Sequence, residues 1–136
     1  VEGRIGMVID GTGREYDKIR QQKADLEALG YDTHMIFVNT SIEVALERNA
    51  ARERTVPEDV AINSWKAVQG NIGKFSSLFR GTMIIVDNNK KDDDIEKMTF
   101  KEVKRLLGKK VRNTRAKQWI EMEMKNRGIT KKPKGF

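Results

Sequence analysis

Cysteine is absent from the 136 residues and histidine occurs once, at His34. Disulfides, thiolate nucleophiles, Cys-ligated zinc and a His-rich metal site are therefore excluded. Long apolar runs are missing too: none approaches the roughly 20 residues needed to span a bilayer. The first ten residues hold Glu2, Arg4 and Asp10, so no signal peptide is legible and a cytoplasmic protein with no membrane partner is expected. Two nucleotide-loop signatures also fail. "DGTGREY" (10–16) has Tyr16 where a dinucleotide fingerprint needs its third glycine. Asn39 and Thr40 then stand where that fingerprint wants an acid. "GNIGKFSS" (70–77) has Phe75 where a Walker A loop needs a hydroxyl for Mg²⁺, Val68 in place of its first glycine, and a helical pattern around it. No Walker A loop occurs in the sequence. The chain opens on Val1 rather than Met, with an apolar run almost at once, which we read as the lack of a front portion.

What is present suits one domain with a heavily charged surface: 38% hydrophobic and 35% charged residues. The net charge of +7 is unevenly spread. From Lys97 to Phe136, 14 Lys and Arg face three Glu, whereas residues 1–96 carry 13 basic against 17 acidic side chains. A partition follows, with an α/β domain over 1–96 and a basic helical extension over 97–136 packed on it.

Three short runs, "RIGMVI" (4–9), "HMIFV" (34–38) and "MIIV" (83–86), are continuously apolar and bounded by turn residues. That is the pattern of parallel strands buried on both faces. Helical patterns cover Glu15–Leu29, Ser41–Arg54, Pro57–Leu78, Phe100–Leu107 and Arg115–Asn126, while "KKDDD" (90–94) reads as a solvated turn and "GITKKPKGF" as a tail. Four hydroxyl–Glu pairs at capping-box spacing, Thr12/Glu15, Thr40/Glu43, Thr55/Glu58 and Thr99/Glu102, mark helix starts. The alternation implies an α/β fold with a parallel sheet.

Ligands of open parallel sheets sit at the carboxyl ends of the strands. Those ends carry "DGTG" (10–13), "NTS" (39–41) and "DNN" (87–89), small polar loops able to meet phosphate, Mg²⁺ or a nucleoside, though Gly, Asn and Asp are also ordinary turn formers. Asp10, ending a strand before a glycine turn, suits the acid that orients Mg²⁺ or substrate in phosphoryl transfer. The glycines after it let backbone amides approach phosphate. In "ALERNAARERTVPEDV" (45–60), Arg48 and Arg52 are four apart and share a helix face, with Arg54 close behind. Guanidinium forks on a helix–break–helix element can stabilise a transferring phosphoryl group. Alternatively, these arginines are solvated and pair with Glu47 and Glu53.

The order "GMVIDGTG", helix, "HMIFVNTS", "ERNAARER", "VPEDV", "MIIVDNN" resembles the second half of small P-loop kinases, in particular the zeta-toxin-like and bacteriophage polynucleotide-kinase-like proteins, over roughly residues 1–90. The resemblance implies a three-layer P-loop NTPase-like parallel sheet, here partial with about three strands. It also implies ATP and Mg²⁺ as cofactors of the intact protein and a nucleotide or nucleic-acid 5′ end as acceptor. By position, Asp10, Arg48 and Arg52 would be catalytic. Gly11, Thr12, Gly13 and Arg54 would bind substrate, and Asp87, Asn88 and Asn89 would lie near the adenine. No dedicated metal cluster is implied. The family's Walker A strand and its acidic base would precede residue 1. Without that central strand, backbone edges stay unpaired, so we expect no tight ATP binding and no catalysis by these residues alone, and a rearranged sheet or a homodimer.

A second possibility is a non-catalytic nucleic-acid-binding or interaction module built on the basic C-terminal region, with Lys109, Lys110 and Arg112 as its contacts. Aromatics are sparse in the basic helices, Phe100 and Trp119, which argues against a base-stacking platform. The apolar stripe of Val103, Leu106 and Leu107 reads as a docking face.

Overall fold

Two of the three apolar runs become strands. The structure is a computed structural model that describes residues 6–90 and 93–131. Its elements are α1 (Tyr16–Ala28), β1 (Met35–Asn39), α2 (Ile42–Ala50), α3 (Glu58–Leu78), β2 (Met83–Asp87), α4 (Asp93–Leu107) and α5 (Thr114–Asn126). β1 and β2 pair in parallel, Met35 beside Met83 through Asn39 beside Asp87. The class is therefore α/β, with five helices around a two-stranded parallel sheet among the described residues.

The core explains the pairing. Phe37, Phe75 and Phe79 are buried together, and Tyr16, Ile19, Met35, Val68, Ile72, Leu78 and Met83 pack around them. Phe75 is fully buried, and its ring lies 5.5 Å from Tyr16 and 6.4 Å from Phe37, spacings at which tilted aromatic pairs attract. These contacts place α1 and α3 over β1. Side chains alternate along a strand, so Ile84 points to the other face, where α4 meets β2 and Leu106 is buried.

The expected burial on both faces is only half realised. Ile85 stays 53% exposed beside β1's covered face, and Ile36 and Val38 stay 47% and 56% exposed on the side α4 covers at β2. The helices reach Met83 on one face and Ile84 on the other but leave these three side chains uncovered.

The run at 4–9 does not supply a third strand. Arg4 and Ile5 lie outside the described residues, Gly6–Asp10 is not strand, and Val8 is 100% exposed. A strand exists only through a partner's hydrogen bonds, and among the described residues nothing pairs with this one.

Helix starts also differ from the hydroxyl–Glu pairs. Glu15 caps α1, and it makes no side-chain cap bond; Pro57 precedes α3 in the same way. Ser41, not Thr40, caps α2, its hydroxyl accepting from the Val44 amide. Thr99 sits inside α4, which begins six residues earlier at Asp93, so the boundary expected between residues 96 and 97 falls within a helix. Lys91 and Asp92 of the expected turn, and residues 132–136 of the tail, lie outside the described residues.

Candidate functional site

At the carboxyl end of the sheet, two of the three loops are welded together. The Asn88 amide donates to the Asn39 carbonyl (2.8 Å), and the Ser41 amide to Asn89 Oδ1 (2.6 Å). Asp87 Oδ1 accepts from both the amide and the side chain of Asn89, a turn closed by its own carboxylate. From α3, Gln69 Nε2 donates to Asn39 Oδ1 and Trp65 Nε1 to the Thr40 carbonyl, both at 2.8 Å. "NTS" and "DNN" thus form one rigid platform. Much of their polar capacity is spent inside it, while the Asn88 side chain makes no hydrogen bond among the described residues.

The Gly-Thr-Gly turn is held from a different point. Asn71, 6% exposed in mid-α3, donates through Nδ2 to the carbonyls of Gly13 (3.1 Å) and Arg14 (2.9 Å). Gly13 has φ +72°, the left-handed region glycine enters freely. A Cβ there would meet Phe37, Phe75 and Val68 at 3.7–3.8 Å, ordinary contact, so the backbone angle is what calls for glycine. Asp10, Gly11 and Thr12 are exposed.

The arginines lie on a projecting element. α2 ends at Ala50, so Arg48 is helical and half-buried whereas Arg52 and Arg54 fall in the exposed stretch that follows. The shared face expected for Arg48 and Arg52 at helical spacing is therefore not formed: Ala51 closes the helix between them. Asn49 clamps the break, its Nδ2 donating to the Val56 carbonyl (2.7 Å) and its Oδ1 accepting from the Val56 amide (3.1 Å). Trp65 and Gln69 mark where α3 passes the strand ends, so the seven residues before Trp65 carry the break about 10 Å beyond the sheet. Among the described residues, no acidic side chain lies at salt-bridge distance from Arg48, Arg52 or Arg54, so the expected pairing with Glu47 and Glu53 is not seen. Nor does any hydrogen bond or ion pair there join Asp10 to these arginines.

At the start of α2, Glu43 is held below the usual carboxylate value by its own backbone amide and by the Ser41 hydroxyl. Among the described residues no group of three His, Cys, Asp or Glu stands together as a metal centre. Asn49, Trp65, Gln69 and Asn71 escaped sequence reasoning. Their one available signal was a polar atom on a helix's apolar stripe, visible for Trp65 and blurred for the others.

A helix–break–helix whose arginines have no acidic partner among the described residues adjoins the platform of strand-end loops, and the glycine turn is anchored separately on the same α3. No curated protein and no solved structure matches the chain. A sequence profile described as Zeta toxin matches residues 1–99, which take in the glycine turn, the platform, the arginine break and both strands. On that match the chain belongs to the zeta toxin family.

Proposed function

We infer that residues 1–99 form the acceptor side and the donor-phosphate lid of a P-loop-type phosphotransferase acting on a nucleotide or a nucleic-acid 5′ end. The observation that carries this is the Arg48–Arg54 stretch: three cations without acidic partners among the described residues, Arg48 on the last turn of α2 and Arg52 and Arg54 on the exposed, clamped break that follows it. Guanidinium groups so placed suit the charge spread over a transferring phosphoryl group. Asp10 is the carboxylate for a Mg²⁺ ion, which takes one or two protein carboxylates and draws its other ligands from phosphates and water. Gly11–Gly13 would face the acceptor, and the Asp87–Asn89 platform the nucleoside of ATP. The sequence holds no Gly-Lys-Ser/Thr loop, so the triphosphate cradle is assigned to residues other than these 136.

Phosphoryl transfer from radiolabelled ATP and Mg²⁺ to nucleoside and 5′-hydroxyl oligonucleotide acceptors tests the assignment. The 136 residues alone are expected to transfer nothing. In a protein that also carries a Gly-Lys-Ser/Thr loop ahead of residue 1, an arginine on the phosphoryl group is worth about 10³–10⁵ in kcat. Arg48→Ala with Arg52→Ala should approach that loss. Unchanged kcat in the double variant would remove the lid role, and transfer by the 136 residues alone would remove the separate cradle.

A further inference from the structure

At the opposite end of the sheet, the segment between α4 and α5 is strapped across the amino ends of both strands. Lys109 Nζ donates to the Gly81 carbonyl (2.9 Å) and the Arg112 amide to Asp32 Oδ2 (2.7 Å). Asn113 Nδ2 donates to the carbonyls of Glu27 (2.7 Å) and Tyr31 (3.2 Å). The strap, α1, the loop before β1 and the turn before β2 line a cleft of about 620 Å³ that is half open to solvent. Five-residue strands place it roughly 15 Å from the candidate phosphoryl-transfer loops.

Five cations line it: Lys23, Arg80, Lys109, Lys110 and Arg112. The two acids of its wall are already engaged. Glu27 accepts from Lys23 and from Thr33, and Asp32 accepts the Arg112 amide. Arg80, Lys110 and Arg112 are exposed, and among the described residues none has an acidic side chain at salt-bridge distance. A pocket that gathers such cations and consumes its own carboxylates is built for an anion. The volume exceeds one inorganic anion, and the positive charge continues along the 14-to-3 basic segment. Phe79, the aromatic of its wall, is only 5% exposed, so no base can stack there.

We propose that this cleft is a nucleic-acid site that seats the phosphates of a DNA or RNA strand on Arg80, Lys110 and Arg112. It goes beyond the phosphotransferase reading and stands without it. Binding is then sequence-tolerant and falls steeply with salt. His34, the sole histidine, reports on the cleft. Partial enclosure holds its imidazole below the usual value, Asp32 pulls the other way, and Lys109, Arg112 and Lys23 reinforce the burial. A phosphate seated among those cations offsets them, so the His34 titration moves up.

The test is fluorescence anisotropy of the chain with a labelled 20-base-pair DNA duplex across salt, together with ¹H NMR titration of His34 on the unaltered chain. Each pocket phosphate contact contributes about 0.9 to the slope of log K against log salt. Arg80→Ala, Lys110→Ala and Arg112→Ala together should flatten that slope by about 2–3 and weaken binding at least tenfold. Lys117→Ala, Lys125→Ala and Lys131→Ala, the same charge removed elsewhere in the basic segment, should weaken it several-fold less. Equal losses in the two triple variants, a His34 curve unmoved by saturating duplex, or tighter binding to phosphatidylserine vesicles than to duplex would each overturn the assignment. The His34 result holds whether or not the variants fold.

Discussion

Asn71 shows how one side chain can place a functional loop. It lies on the buried stripe of α3, where an unpartnered amide carries a desolvation penalty. Its Nδ2 donates to two carbonyls of the glycine turn, those of Gly13 and Arg14. Folding α3 therefore selects the position of the turn that follows Asp10. Asn71→Ala removes the donor and strands two carbonyls, a loss expected to lower stability by about 1–3 kcal/mol. Urea denaturation of the variant beside the parent chain measures it. A midpoint unchanged at constant slope would mean that water replaces the amide at no cost, and that the turn is placed by Phe37 and Phe75 instead.

Among elements, legibility followed locality. α1, α3 and α5 were readable because the apolar period of a helix is carried by the segment itself; α3 even absorbed "GNIGKFSS" as helix, as its pattern required. β1 and β2 were readable because each is a short apolar run between turn residues. The run at 4–9 has the same character, yet its state depends on a partner strand, which no local pattern encodes. Capping hydroxyls misled for a related reason: Ser41 and Pro57 took the positions ahead of α2 and α3, and α4 begins six residues before Thr99. Of the candidate site, the proximity of "NTS" and "DNN" followed from parallel strands, but the arginines' departure from a common face depended on one C-cap at Ala51. The strap over the amino end of the sheet was not legible, because it rests on contacts between residues 28 to 86 positions apart. Asn113 is its anchor, capping α5 through Oδ1 to the Arg115 and Ala116 amides while Nδ2 holds the end of α1. Asn113→Ala should cost about 1 kcal/mol of cap and free α5 from α1. Hydrogen exchange over 114–126 should accelerate at least tenfold while α3 stays protected. Asn113→Asp keeps the cap and loses both donors, so an exchange rate equal to the parent's would assign the attachment to Arg115 and the Ala28 carbonyl instead.

At the scale of the molecule, surface decides. The chain exposes 10700 Å², about one and a half times the roughly 7,200 Å² expected of a compact monomer of its 15.6 kDa. Much of the apolar part is contiguous in kind: Met7, Val8 and Ile9 form no strand, Ile36 and Val38 are open on one face of β1, and Ile85 is open on the other face of β2. The free edges of the two strands add backbone donors and acceptors to the same region, the combination that leads strands to pair with another chain. A second copy presents the identical edge and the identical apolar face, so isologous pairing satisfies both at once. The chain is therefore expected to sediment as a dimer or larger at tens of micromolar, with association little weakened by salt because apolar contact rather than charge drives it. Ile36→Lys with Val38→Lys places two cations on the exposed face without touching Phe37 or the Phe75 cluster beneath the other face. That variant should raise the dissociation constant at least tenfold while retaining the parent's helical circular dichroism. Sedimentation of the unaltered chain as a monomer at 100 micromolar would instead mean that the open face of β1 is covered from within its own chain, with the apolar segment at 7–9 as the nearest candidate to cover it.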